Sequence, residues 1–178
     1  MTPVPRLVAF DLDGTLWWPE MYMLSGPPFK ARLDQGRVID RSNEAVYLMG
    51  ASRSILNEMA VDPKWSNTSV AYVSRTTEPA WAKACLKLFQ VHDAVSMDVL
   101  GKHQQIYPGN KKKHFNLIHS ESGIPFEDMV FFDNEMRNCR DVAELGVICV
   151  YTPDGMTEEV WAEGLLKFAQ QRAASCQD

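Results

Sequence analysis

"LVAFDLDGTLWW", Leu7 to Trp18, holds the transition that decides the fold. The four apolar residues Leu7 to Phe10 read as a short strand buried on both faces, because no polar position interrupts them. Two carboxylates, Asp11 and Asp13, then stand one residue apart, followed by Gly14 and Thr15. Like charges so close together are costly as pure structure. At the carboxyl end of a buried strand they have a use, because open α/β sheets bind their ligands beyond those ends.

Working outward, apolar runs alternate with helical patterns. Ser69–Ser74, Ala94–Val99, Met129–Phe132 and Val147–Tyr151 read as further strands. Helices are expected over 52–60, 78–90, 112–122, 135–145 and 157–171. Pro79 sits in a first turn, where its missing N–H costs nothing, and Gly123 with Pro125 ends the third pattern. The last seven residues, "RAASCQD", read as a frayed tail. This alternation predicts a three-layer, Rossmann-like α/β fold: a parallel sheet with helices on both faces. The exception is 17–50, where "SGPPF", "DQG" and the alternating "GRVIDRSNEAVYLMG" predict a loop and β-hairpin inserted after the first strand. The chain thus reads as one domain, 1–178, with a short insert instead of a large cap.

Bulk properties narrow the function. A net charge of −5 gives no electrostatic footprint for nucleic acid. No apolar run approaches the roughly 18 residues of a membrane span, and "MTPVPRLVAF" lacks the layout of a signal peptide, so a cytoplasmic location is expected. Cys85, Cys139, Cys149 and Cys176 form no C-x-x-C pair and read as reduced thiols in or near the core. The four histidines show no ligand spacing. Nothing in the composition speaks to oligomeric state.

The polar residues at the strand ends carry the chemistry. Ser74, Arg75, Thr76 and Thr77 follow the second strand; "PGNKKK", Pro108 to Lys113, precedes a helix; Asp133, Asn134 and Glu135 follow "MVFF". Each cluster alone is compatible with a helix cap. Four together, after successive elements, describe a site.

This pattern resembles the haloacid dehalogenase superfamily, whose phosphatases carry D-x-D-x-T, then Ser or Thr, then Lys, then an acidic pair. The corresponding residues are Asp11-Leu12-Asp13-Gly14-Thr15, Ser74, Lys111 and Asp133-Asn134. The magnesium-dependent phosphatase family is most similar, through "FDLDGTLW", "PPF", "SRT", "YPGNKKKHF", "GIPFEDMVFFDNE" and "RN". The resemblance covers nearly the whole chain. It implies a phosphomonoester hydrolase with Asp11 as nucleophile, forming an aspartyl-phosphate, and Asp13 as general acid and then base. It implies Mg²⁺, held by Asp11, the backbone carbonyl of Asp13 and Asn134 or Asp133. Leu12, Ser74, Arg75 and Lys111 fall at phosphate-binding positions, with Lys112 the fallback for the lysine. Asn134 departs from the Asp-Asp of many relatives but keeps a ligating oxygen. A phosphotyrosine protein or peptide and a sugar phosphate such as a fructosamine phosphate are both open as substrate. The alternatives are an inactive binding module or a phosphomutase on the same scaffold.

Several neighbours carry structural expectations. Thr15 is expected to support Asp11, and Gly14 to permit a tight turn. Trp17 and Trp18 are either insert core or substrate-facing, and Met21 and Tyr22 are candidates for the same mouth. Arg137 and Asn138 are expected to anchor the metal loop.

Overall fold

In chain order, the computed structural model, which describes residues 2–175, contains β1 (Leu7–Phe10), β2 (Trp17–Trp18), β3 (Lys30–Arg32), β4 (Arg37–Ile39) and β5 (Ala45–Leu48). Next come α1 (Ser52–Val61), β6 (Ser69–Ser74), α2 (Pro79–Leu88), β7 (Gln90–His92), β8 (Val95–Ser96), α3 (Met97–Leu100) and β9 (Gly101–Ile106). The chain then forms α4 (Lys111–Ser122), β10 (Met129–Asp133), α5 (Met136–Ala143), β11 (Ile148–Tyr151) and α6 (Glu158–Ser175). The main sheet has the order β11-β10-β1-β6-β9, and all its neighbours pair in parallel.

The buried strands fill two apolar cores, one on each face. Val8 and Phe10 of β1 join Tyr72, Phe132 and Trp161 on one side. Leu7 and Ala9 join Phe115, Ile118 and Val142 on the other. The Phe10 and Phe132 rings stack at 5.6 Å, with Trp161 against both. Burying each such side chain is worth about 1.5–3 kcal/mol, which anchors the strand ends where the polar residues stand.

Two elements differ from the sequence expectation. Residues 94–99 do not form a strand of the main sheet. Val95–Ser96 pairs only with β7, and Met97–Leu100 turns helical, with Ser96 accepting a hydrogen bond from the Val99 amide at 3.2 Å. The edge strand is instead β9, "GKHQQI", which pairs on one side only and needs no apolar run. The insert is also larger than one hairpin. The expected hairpin is β4–β5, and β2 and β3 flank it to make a four-stranded antiparallel sheet, β2-β5-β4-β3. Asp40 organises its turn, accepting hydrogen bonds from the amides of Ser25, Ser42 and Glu44 at 2.6, 2.8 and 2.9 Å.

The final helix continues through Ser175, so the first part of the expected frayed tail is helical, and residues 176–178 lie outside the described residues. Cys85 and Cys139 are buried and Cys149 is partly buried, all as free thiols; Cys176 lies outside the described residues. No helix among the described residues is long and apolar enough to cross a membrane.

Candidate active site

The parallel order places the carboxyl ends of β1, β6 and β10 side by side. Asp11 follows β1 directly and donates its amide to Phe132 O of β10 at 3.0 Å. Its carboxylate is almost fully buried among charges. Lys111 Nζ donates to Asp11 Oδ1 at 2.7 Å and to Asp133 Oδ2 at 2.6 Å. Lys111 is itself 1% exposed. It is the first residue of α4, whose start is capped by Asn110 accepting from the Lys112 amide at 2.8 Å. His114, one turn on, lies fully buried with its ring nitrogens 2.8 Å from the Tyr107 carbonyl and 3.1 Å from the Asn110 carbonyl, one of which accepts its N–H and pins the loop entering the helix. Lys112 points elsewhere, to Glu144.

Burial is the largest influence on Asp11, and with the nearby Asp133 charge it pushes the carboxyl up to about 8, while Lys111 opposes them. Burial alone would lower the Lys111 ammonium, but Asp11 and Asp133 outweigh it and raise it. The cluster therefore favours a charged lysine and, in the absence of a further cation, a proton on Asp11.

Thr15 Oγ1 donates to Asp11 Oδ2 at 3.0 Å and accepts from the Asn134 amide N–H at 3.0 Å. Gly14 has φ +77°, and a Cβ there would meet the Asn134 side chain at 2.5 Å, so this turn needs glycine twice over. One terminus of the Asn134 side-chain amide faces the loop. It stands 3.0 Å from Asp11 Oδ2, 3.2 Å from the Asp13 carbonyl oxygen and 3.3 Å from Thr15 Oγ1. Occupied by NH₂, that terminus satisfies these oxygens by hydrogen bonds. Occupied by the amide oxygen, it makes with Asp11 Oδ2 and the Asp13 carbonyl a cradle of neighbouring oxygens, a donor set that suits a hard divalent cation. The donors are a carboxylate, an amide and a backbone carbonyl, not a cluster of His, Cys, Asp or Glu side chains, of which none occurs among the described residues. Asp133 is not brought to this cradle. Its oxygens accept from Lys111, from the Asn138 amide at 3.1 Å and from the Glu135 N–H at 2.7 Å.

Asp13 is held differently. Trp17 Nε1 donates to Oδ1 at 2.7 Å and the Met21 amide to Oδ2 at 3.1 Å. Burial raises its pKa, and these two donors pull against that rise.

A cavity of about 170 Å³ joins Asp11, Asp13, Ser74, Arg75 and Lys111. Ser74 is buried, with Oγ accepting from the Thr76 amide at 3.2 Å. Arg75 Nη1 donates to Asn138 Oδ1 at 3.2 Å, so Asn138 links β6 to the Asp133 carboxylate. Arg137 is exposed. The Leu12 side chain lies in the core, so only its backbone can reach the cavity.

Trp17 is fully buried and Trp18 is 38% exposed, and neither lines the cavity. The insert reaches the rim through Tyr22 and Glu20, two residues the site's sequence pattern did not single out with equal force; Glu20 escaped it altogether. The bonds of Trp17 and Met21 to Asp13 tie their segment there. Glu135 completes an acidic rim.

Comparison with known proteins follows the same lines. The family model described as Acid Phosphatase matches residues 3–171. Magnesium-dependent phosphatase 1 of Homo sapiens is 36% identical over 172 residues, 96% of this chain and 90% of the human one. A haloacid-dehalogenase-family enzyme of Bacteroides thetaiotaomicron, crystallised with magnesium and inorganic phosphate, superposes with a TM-score of 0.60 at 13% identity, over 88% of this chain and 98% of that one. The N-terminal part of a Bacteroides fragilis protein containing a phosphatase domain superposes with a TM-score of 0.58 at 17% identity, over 85% of this chain. This chain spans 37% of the length of that one. At these identities the two structures speak to the fold.

Proposed function

This chain belongs to the acid phosphatase family of the haloacid dehalogenase superfamily, and on that premise we propose that it is a cytoplasmic, Mg²⁺-dependent phosphomonoesterase that passes through a phosphorylated Asp11. The observation that carries the reading is the side-chain amide of Asn134 lying 3.0 Å from Asp11 Oδ2 and 3.2 Å from the Asp13 carbonyl oxygen. These three would hold the cation. Bound there, Mg²⁺ supplies the charge that lets a carboxylate approach a phosphate dianion.

The chain's own groups account for the rest. Asp11 attacks phosphorus as the bond to the leaving oxygen breaks, and Asp13 gives that oxygen its proton. Asp13 then takes a proton from the water that attacks the aspartyl-phosphate, which restores Asp11 and releases inorganic phosphate. Lys111 keeps a fixed positive charge beside the transferring group. Its second partner, Asp133, holds it in place. Ser74, Arg75 and the Leu12 backbone take the remaining phosphate oxygens.

For the substrate, the open polar cavity and the carboxylates of Glu20 and Glu135 at its rim favour a small phosphoester whose leaving group carries a cationic amine. A sugar phosphate such as a fructosamine phosphate has that chemistry. The exposed ring of Tyr22 supports the second reading, a phosphotyrosine peptide stacked at the mouth.

Borohydride reduction during turnover tests the intermediate: Asp11 is expected to become homoserine, read by peptide mass spectrometry, and an unmodified Asp11 peptide during steady turnover overturns it. Comparing kcat/KM for a fructosamine phosphate and a phosphotyrosine peptide with Mg²⁺ decides the substrate.

A further inference from the structure

The two ends of Asp13 are held by the insert, not by the sheet that carries it. The Trp17 indole N–H meets Oδ1 at 2.7 Å and the Met21 N–H meets Oδ2 at 3.1 Å. The indole is rigid: Trp17 is fully buried, stacks on Phe89 at 6.0 Å and pairs with Leu48 through β2 and β5. The intervening turn is closed by the Gly14 amide donating to Trp17 O at 2.8 Å.

We propose that Trp17 is a positioning residue for Asp13, fixing through its indole N–H the plane in which that carboxyl faces the leaving oxygen. The proposal rests on the reading of Asp13 as acid and base. The torsion that sets a carboxyl plane is broad when nothing holds it. Two donors on opposite oxygens remove that freedom. An indole N–H only donates, so it orients the carboxyl without competing for the proton Asp13 must carry. Proton transfer needs the donor oxygen within hydrogen-bond reach of its target, and a misplaced group loses rate steeply.

A buried indole must bond something, and Trp65 shows the purely structural version. It is 2% exposed, and its Nε1 donates to Glu58 at 3.0 Å, away from the cavity. That makes Trp65 the control.

The experiment replaces Trp17 with 3-benzothienylalanine, which keeps the shape of the ring and lacks the N–H, and in parallel with Phe. The Mg²⁺-loaded full chain is assayed on p-nitrophenyl phosphate, whose leaving group departs without a proton, and on a simple alkyl phosphate, whose leaving group needs one. The alkyl-to-aryl ratio of kcat/KM is expected to fall about 30-fold or more in both variants, part of the roughly 10²–10⁴-fold that general acid catalysis supplies. The same isostere at Trp65 should leave the ratio unchanged. An unchanged ratio in the folded Trp17 isostere, or a shift of equal size at Trp65, overturns the proposal. Failure of the underlying reading shows itself separately: Asp13→Asn would then lower both esters equally, which removes Asp13 as the acid and this inference with it.

Discussion

The two aspartates of one turn live in different physical worlds. Asp11 belongs to the parallel sheet and is held by charge, with Lys111 Nζ 2.7 Å from it and 2.6 Å from Asp133. Asp13 belongs, through its side chain, to the insert and is held by neutral donors. In the proposed scheme the nucleophile is thus tied to fixed charges buried in the sheet core, and the acid and base to donors that do not titrate. Two residues apart in sequence, they draw on two separate sheets.

Breaking the charged side should cost most. Asp11→Asn is expected to lower kcat on an aryl phosphate by on the order of 10⁴-fold, measured at saturating Mg²⁺. Retained activity would remove the nucleophile from the scheme. Lys111→Met should lower kcat about 10²–10³-fold. It should also cost about 3 kcal/mol in urea unfolding at pH 8, because two buried acids lose their cation. At pH 5 that loss should shrink, since protons replace the charge.

The pH dependence of the metal-free protein sharpens the same contrast. Asp11 is pushed up to about 8 from 3.8 by burial and by Asp133. The folded state therefore binds its proton more tightly than the unfolded chain does. Stability from this group is present at acid pH and is lost as pH rises from about 4 towards 8. In EDTA, Tm should fall by several degrees between pH 5 and 8, and Mg²⁺ should flatten the slope by taking over the proton's role. A Tm that rises over this range would contradict the network.

The insert offers the most local effect. Burial opposes the charge on Asp40, but the amides of Ser25, Glu44 and Ser42 outweigh it and hold its carboxyl below the ordinary range. Asp40→Ala should destabilise the insert by about 3 kcal/mol. Amide exchange should then accelerate in β3 to β5 and stay slow in β1, β6 and β10. Equal acceleration in both sheets would show that they unfold as one unit and dissolve the contrast.

Much of the parallel sheet was legible in the chain. β1, β6 and β10 are apolar runs because both faces are buried, and β11 is one although its Tyr151 is exposed. The polar residues after them could be read as a site because strand direction alone sends them to one edge. β9 was not legible, because an edge strand bonded on one side tolerates Lys102, His103 and two glutamines. β2 and β3 were not legible either, since strands of two and three residues are too short to show a period.

What the sequence by itself determined is the chemistry available: two carboxylates after a buried strand, a hydroxyl, a lysine and an Asp-Asn pair, in an order that local rules place along one sheet edge. What only the tertiary structure decided is how those groups divide the work. Asn134 turns to the oxygen cradle while Asp133 turns to Lys111. Glu20 and Tyr22 reach the rim, and a tryptophan expected only to fill the core or face substrate holds Asp13. These follow from contacts between elements as far as 119 residues apart. Such contacts leave no period or spacing in the chain, because they are set by how two sheets pack and not by any local conformational preference.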